Sequence, residues 1–534
     1  MSLQFITGNS GNGKTKYLFN RIVKEAKANP RDNYLVIVPE QFTMQTQRQL
    51  VDLSENKAIM NIDVLSFKRL AYRVFDELGI TNLTVLEETG KNLVLRKLAA
   101  QEADKLGVIG RNLNRIGYIS EVKSLLSELV QYNISPEELG RYIASGRLSD
   151  TLSDKLKDVL VLYEAFEKFM QDKYITAEEI LNVLSNVAEE SAILRNSVIA
   201  FDEFTGFTPI QNQLIKKLFV ISKKIYVTLT IDCREDIFKS RGMQELFDMP
   251  KRTVKSLTEM AAFYGIEVEE PIILDKNYRL AENEELSFME QQLFRKRRCS
   301  FKKAPKHIHI DCLRDPKQEL TKIARRINEL VRNENLRYRD IAIVTGDVNI
   351  YAGYVREIFD KYNIPYFIDA TQEILFHPFI EFIRSIPDIA AQNFSADAVF
   401  RFLRCGFSEL LDSEIDVLEN YVLACGVRGK SAWDKKWVRL PKHKAGYDIE
   451  LLNQSREYIM ELLKPVYQVF SDKKSTVKDY VLAIYKLIVL LDIPDKLAKK
   501  EQALLDAGDQ TASKEYGQIY KIVMQLFEKY VAVL

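Results

Sequence analysis

Cysteine and histidine are scarce in this 534-residue chain, with five and four copies. Cys233, Cys299, Cys312, Cys405 and Cys425 are scattered and form no C-x-x-C pair. That spacing excludes a disulfide frame and a complete metal site, and it suits reduced thiols in a cytoplasmic protein. His307 and His309 alternate in a strand-like run with no ligand cluster around them, so they read as one face of a strand. No signal peptide is present, nor any apolar run of the roughly 18 residues that a membrane span needs. An excess of charge is missing too. The net charge is +1, which does not announce a nucleic-acid partner, although a chain this long can carry a basic groove balanced elsewhere.

What is present begins at Gly8, Asn9, Ser10, Gly11, Asn12, Gly13, Lys14 and Thr15, a G-x-x-x-x-G-K-[ST] pattern. The apolar run 3–7 before it reads as a buried strand. After it, Tyr17, Leu18, Ile22, Val23 and Ala26 recur at helical spacing. Strand, glycine-rich turn and helix form the context that a phosphate loop requires. The glycines let successive N–H groups curl around an anion, and the helix start adds its own free N–H groups and dipole. Lys14 is placed for the β- and γ-phosphates of ATP and the Thr15 hydroxyl for Mg²⁺.

Further strands are expected at 34–38 and 62–65, each reached through a helix. Such alternation predicts an α/β fold with a parallel sheet covered on both faces. Ligands in such sheets sit at the carboxyl ends of strands, so 7–15, 39–43 and 66–72 are expected along one rim. Residues 86–196 read as a helical insertion with almost no strand signal. The sheet resumes at 197–203, ending in Asp202 and Glu203. In a phosphate-loop fold these acids hold Mg²⁺ and polarise the attacking water. Another strand is expected at 225–231. Arg279, before a helix containing Leu286, Met289 and Leu293, reads either as a γ-phosphate contact or as a surface arginine.

The run 295–304 is basic and reads as a linker, its cations a possible contact for phosphates. A second α/β unit is expected over 305–378, with strands at 308–312, 341–345 and 365–369 and helices at 316–333 and 351–362. From 379 to 534 the pattern is helical. Trp433 and Trp437 fall in a Lys/Arg-rich loop with no role assigned. The last residues read as the middle of a helix, and three strands are few for the second unit, so a piece of a longer protein is expected.

Several stretches together resemble the AddB (RexB) family: the loop, the run from Val38 to Thr43 (VPEQFT), the run from Ser66 to Val74 (SFKRLAYRV), the run from Phe204 to Pro209 (FTGFTP), and the run from Ile364 to Asp369 followed by His377 to Arg384. Their order and spacing carry the resemblance over essentially the whole chain. It implies a UvrD-like, RecA-like first domain over 1–85 and 197–294, the first part of a second over 305–378, and a truncated inserted helical domain over 379–534. It further implies the helicase-like part of a bacterial double-strand-break resection helicase–nuclease, a heterodimer with AddA (RexA) acting on single- and double-stranded DNA. Through the resemblance, Gln41, Thr43, Phe67, Arg69, Tyr72 and Phe207 are expected to read the Chi recombination hotspot in a single strand; aromatic faces, amides and guanidinium suit such a reader. Tyr72 stands where relatives often carry tryptophan. The family's nuclease and its four-iron four-sulfur (4Fe–4S) cluster have no counterpart motif in this chain and are expected beyond Leu534. Seven residues precede Gly8, too few for the glutamine motif with which active superfamily members hold adenine. The residues alone leave open an autonomous DNA-dependent motor ATPase and a non-enzymatic docking scaffold. A small-molecule kinase would need neither the insertion nor the second unit.

Overall fold

The computed structural model describes the chain except residues 81–84, 109, 111–116, 146–147, 172–173, 296–298, 370–372, 441–446 and 534. It separates into two compact units, Met1–His309 and Ile310–Leu534.

The first unit is built on a parallel sheet. Strand β1 (Ser2–Gly8) leads through the loop to helix α1 (Lys14–Ala28), followed by β2 (Tyr34–Ile37), α2 (Thr43–Leu53), β3 (Ile62–Leu65) and α3 (Phe67–Leu78). A mainly helical stretch comes next: β4 (Val85–Leu86), α4 (Glu88–Gln101), α5 (Tyr118–Gln131), α6 (Pro136–Ala144), α7 (Asp150–Met170), β5 (Ile175–Thr176) and α8 (Ile180–Val187). The sheet then resumes with β6 (Val198–Phe201), α9 (Pro209–Ile221), β7 (Lys224–Thr230), α10 (Asp248–Phe263), β8 (Glu267–Val268), β9 (Ile272–Leu274) and α11 (Glu284–Gln292). The strand order is β3-β2-β6-β7-β1-β8, with β9 also on β1 and every pairing parallel. All carboxyl ends therefore share one edge.

The strands are apolar on both faces because both are covered. Leu35, Ile37, Ile199 and Phe201 pack with Leu70, Leu214 and Leu257 on one side. Val36, Val38, Val198 and Ala200 pack with Leu18, Phe19 and Leu50 on the other. The β4–β5 pair joins the two ends of the helical stretch and was not expected; two residues each are too short to show a strand period. Inside that stretch Lys91 is 3% exposed, its ammonium held 2.6 Å from Glu178 and 2.8 Å from Glu88. The basic run near 295–304 is tied down where it is described. Arg295 pairs with Asp232 at 2.9 Å and Lys303 with Glu284 at 2.6 Å. Its cations Lys296, Arg297 and Arg298 lie outside the described residues.

The second unit departs from expectation. Helices α12 (Pro316–Asn333) and α13 (Val348–Lys361) form and pack through Leu320, Ala324, Ile327, Ile358 and Phe359. The strands expected at 308–312, 341–345 and 365–369 do not: these segments pair with nothing in a ladder, and Ile310, Val344 and Phe367 are 93%, 93% and 88% exposed. Alternating β-branched residues show that a segment fits a pleated surface, not that a neighbouring strand lies beside it. The strand face assigned to His307 and His309 fails for the same reason. Eight helices complete the unit among the described residues: α14 (Pro378–Ala391), α15 (Ala396–Leu403), α16 (Asp412–Cys425), α17 (Lys430–Trp433), α18 (Ile449–Ser471), α19 (Val477–Leu490), α20 (Ile493–Asp506) and α21 (Gln510–Val533). Trp433 is fully buried, its ring 5.3 Å from that of Trp437, so this pair is core.

Candidate nucleotide cleft and strand rim

The loop between β1 and α1 is shaped by its glycines. Gly11 and Gly13 have φ of +88° and +77°, which side chains rarely tolerate. A Cβ on Gly11 would also meet the Arg279 Cβ and Asn277 Oδ1, each at 2.8 Å. Gly13 provides no side-chain cap to α1, so the helix's opening N–H groups remain for a ligand. The segment after β9 braces the loop from outside. The Asn277 amide donates to the Ser10 carbonyl at 3.0 Å, the Tyr278 N–H to the Gly11 carbonyl at 3.0 Å, and Arg279 to the Ser10 hydroxyl at 3.4 Å. Asn12 donates to the Leu274 carbonyl at 2.5 Å. Asn9 donates to Glu290 at 2.6 Å and accepts from the Cys233 N–H at 2.9 Å. Gly8 ends β1, and a Cβ there would lie 2.6 Å from the Leu274 carbonyl.

Beside the loop is a cavity of about 750 Å³ lined by Lys14, Thr15, Asp202, Glu203, Tyr278 and Arg279 among others. The Lys14 ammonium folds back onto the Asn9 carbonyl at 3.0 Å. Burial lowers its pKa, while Glu203 and Asp202 pull the other way. The Thr15 hydroxyl lies 3.3 Å from both Asp202 and Glu203. Asp202, at the end of β6, is 1% exposed. Its Oδ1 accepts from Thr228 on β7, and its buried Oδ2 has no partner among the described residues. Burial drives this carboxyl above the usual range; the Thr228 hydroxyl opposes and Glu203 adds to it. Glu203 follows with a φ of +64°, uncommon outside glycine and asparagine, and is exposed. The cleft thus gathers every residue expected at the nucleotide site. A hydroxyl beside one buried, under-satisfied carboxylate is a donor set that fits Mg²⁺, which takes one or two carboxylates and completes its shell with water and phosphate. Groups of three or more His, Cys, Asp or Glu fit to hold a metal are absent among the described residues.

Two contributors were missed. Thr228 fixes Asp202, and nothing in a strand sequence marks it. Tyr278 is 66% exposed with its ring 3.6 Å from where a Gly13 Cβ would stand, and its place next to Arg279 was the available signal.

The six positions expected to read a strand lie near the carboxyl ends of β2, β3 and β6, in differing states. Gln41 is exposed on a single 3-10 turn, Glu40–Phe42. Arg69 is half exposed, its Nε 3.7 Å from Glu40. Tyr72 is 39% exposed and packs edge-on against Phe75, leaving a face open. Phe207 is half-buried, 5.3 Å from both Phe201 and Phe204. The other two are corrections. Phe67 is 7% exposed and enclosed by Phe201, Phe204 and Phe207, so it presents no free stacking face. Thr43 is 3% exposed and its hydroxyl donates to the Glu40 carbonyl at 3.0 Å, a local cap and not an open contact.

These features define an α/β protein whose parallel sheet carries, at its carboxyl edge, a loop–helix turn built to receive an anion. The chain belongs to the AddB family: the family profile described as "ADDB, N-terminal" matches residues 5–290. It is 38% identical to the B subunit of the ATP-dependent helicase/deoxyribonuclease of Lachnoclostridium phytofermentans, over the whole of this chain and 47% of that protein. Identity is 32% with the protein of that name from Caldanaerobacter subterraneus and 31% with that from Clostridium acetobutylicum, again over this whole chain and 46% and 47% of theirs. The chain spans about half the length of the curated relatives it matches. No described helix is long and apolar enough to cross a membrane.

Proposed function

We propose that this chain is the helicase-like part of the AddB component of an ATP-dependent helicase–deoxyribonuclease, a phosphate-loop, RecA-like fold that binds ATP and Mg²⁺ and scans single-stranded DNA for the Chi hotspot. Its partner is AddA, and the complex works in the cytoplasm on broken duplex ends. The observation that carries the reading is the convergence of Lys14, Thr15, Asp202, Glu203 and Arg279 on one cleft beside an N–H-lined loop. In this reading Lys14 and the first N–H groups of α1 bind the β- and γ-phosphates. Thr15 and Asp202 would hold Mg²⁺, which neutralises phosphate charge when bound. Glu203 orients water, Arg279 meets the terminal phosphate, and the open Tyr278 ring stacks on the base. The strand passes over Gln41, Arg69, Tyr72 and Phe207 along the same edge, with exposed aromatic and amide groups suited to unpaired bases.

The test is Arg69→Ala in the complete helicase–nuclease. Response to the hotspot should fall while unwinding rate is retained. An unaltered hotspot response removes the rim from the account.

A further inference from the structure

A second opening lies at the same sheet edge, about 320 Å³ in volume, among the ends of β2 and β3 and the start of α8. Its walls are apolar: Val38, Phe67, Leu181 and Phe204, with the two rings 5.6 Å apart. Glu40 and Ser66 also line it. The Ser66 hydroxyl donates to Glu40 Oε2 at 3.1 Å and accepts from the Arg69 N–H as the cap of α3. Glu40 Oε1 faces the Arg69 guanidinium at 3.7 Å. The carboxylate is therefore anchored to a helix start while 60% exposed, and the guanidinium 52% exposed. An ion pair this open contributes little to stability, so both groups can exchange water for a ligand at small loss.

The pair has a defined chemistry. A carboxylate only accepts and a guanidinium only donates. Guanine sets two donors, N1–H and the 2-amino group, beside two acceptors, O6 and N7. Adenine and cytosine each offer a single amino donor group on this side, and thymine a single N–H. We propose that this opening admits one guanine of a single strand, with Glu40 accepting from N1–H and the 2-amino group and Arg69 donating to O6 and N7. The apolar walls exclude water, as in pockets that hold an extruded base. Lys68, exposed at the same mouth, suits the adjoining phosphate. This rests on the strand-scanning reading above and adds the base selected, with Glu40 as a specificity residue.

The test uses the full chain and fluorescence anisotropy. The probes are labelled oligothymidine strands bearing one guanine, one inosine (no 2-amino group) or one 7-deazaguanine (no N7). The guanine strand should bind about tenfold more tightly than the inosine strand, the scale of one good paired contact. Glu40→Gln should erase that difference, and Arg69→Ala should erase the difference between guanine and 7-deazaguanine. Equal binding of guanine and inosine by the unmodified chain overturns the proposal, as does a guanine preference that survives Glu40→Gln. Failure to bind any of the strands instead overturns the strand-scanning reading on which it rests.

Discussion

Replacing Asp202 by asparagine should stabilise the ligand-free protein and disable it as a receptor. The carboxylate is 1% exposed, and only one of its oxygens is paired among the described residues. A buried, uncompensated charged oxygen carries a desolvation penalty above the roughly 1–3 kcal/mol of a neutral polar group, and the amide retains an acceptor for Thr228. The net gain should be about 1–2 kcal/mol, or about 2–6 °C in melting temperature for a unit of this size. The gain has a pH signature. Burial raises the folded-state pKa of Asp202, so its favourable contribution is complete below the ordinary carboxylate pKa and disappears as pH climbs through the raised value. The stability difference between Asp202→Asn and the unmodified chain should therefore open as pH rises across that window and stay flat above it. With Mg²⁺–ATP at a hundredfold excess over its dissociation constant, the unmodified chain should gain about 2.7 kcal/mol. The variant should gain less than half of that. Scanning calorimetry across pH, with and without nucleotide, reads all three effects. A variant that melts below the unmodified chain without ligand, or a difference that does not change with pH, would refute the reasoning.

Asp232 should behave oppositely. Burial pushes its carboxyl up, but Arg234 and then Arg295 outweigh this and hold it down at about 2. Asp232→Asn should cost about 2 kcal/mol at neutral pH, a loss that fades as pH falls from the usual carboxylate range toward 2, measured by urea unfolding. Lys91→Ala strands the buried Glu178 carboxylate, 11% exposed, and should cost about 3–5 kcal/mol in the same assay. Phe67→Leu separates packing from stacking. If Phe67 serves the core, single-strand affinity changes less than twofold while melting falls by several degrees; the reverse pattern would restore its stacking role.

The first sheet was legible because its strands are buried on both faces and read as unbroken apolar runs, as at Tyr34–Ile37. The loop was legible because N–H-lined turns need glycine at fixed positions. The short strands Glu267–Val268 and Ile272–Leu274 were not, since each exposes much of its surface and is recruited only by the edge of β1. The bracing of the loop by Asn277 and Tyr278 spans more than 260 positions of chain and leaves no local mark. Phe67 illustrates the limit of residue type: an aromatic at a strand end serves a core or a base equally well, and only the surrounding Phe201, Phe204 and Phe207 decide it. In the second unit, alternation at 341–345 reported a preference for a sheet while 93% of Val344 stands in solvent.

Titration calorimetry of Mg²⁺–ATP into the full chain and into Lys14→Ala tests the central claim most directly. One molecule of nucleotide should bind per chain, and the variant should lose that binding while keeping its melting temperature. Absence of binding by the unmodified chain, or equal binding by the variant, would contradict it.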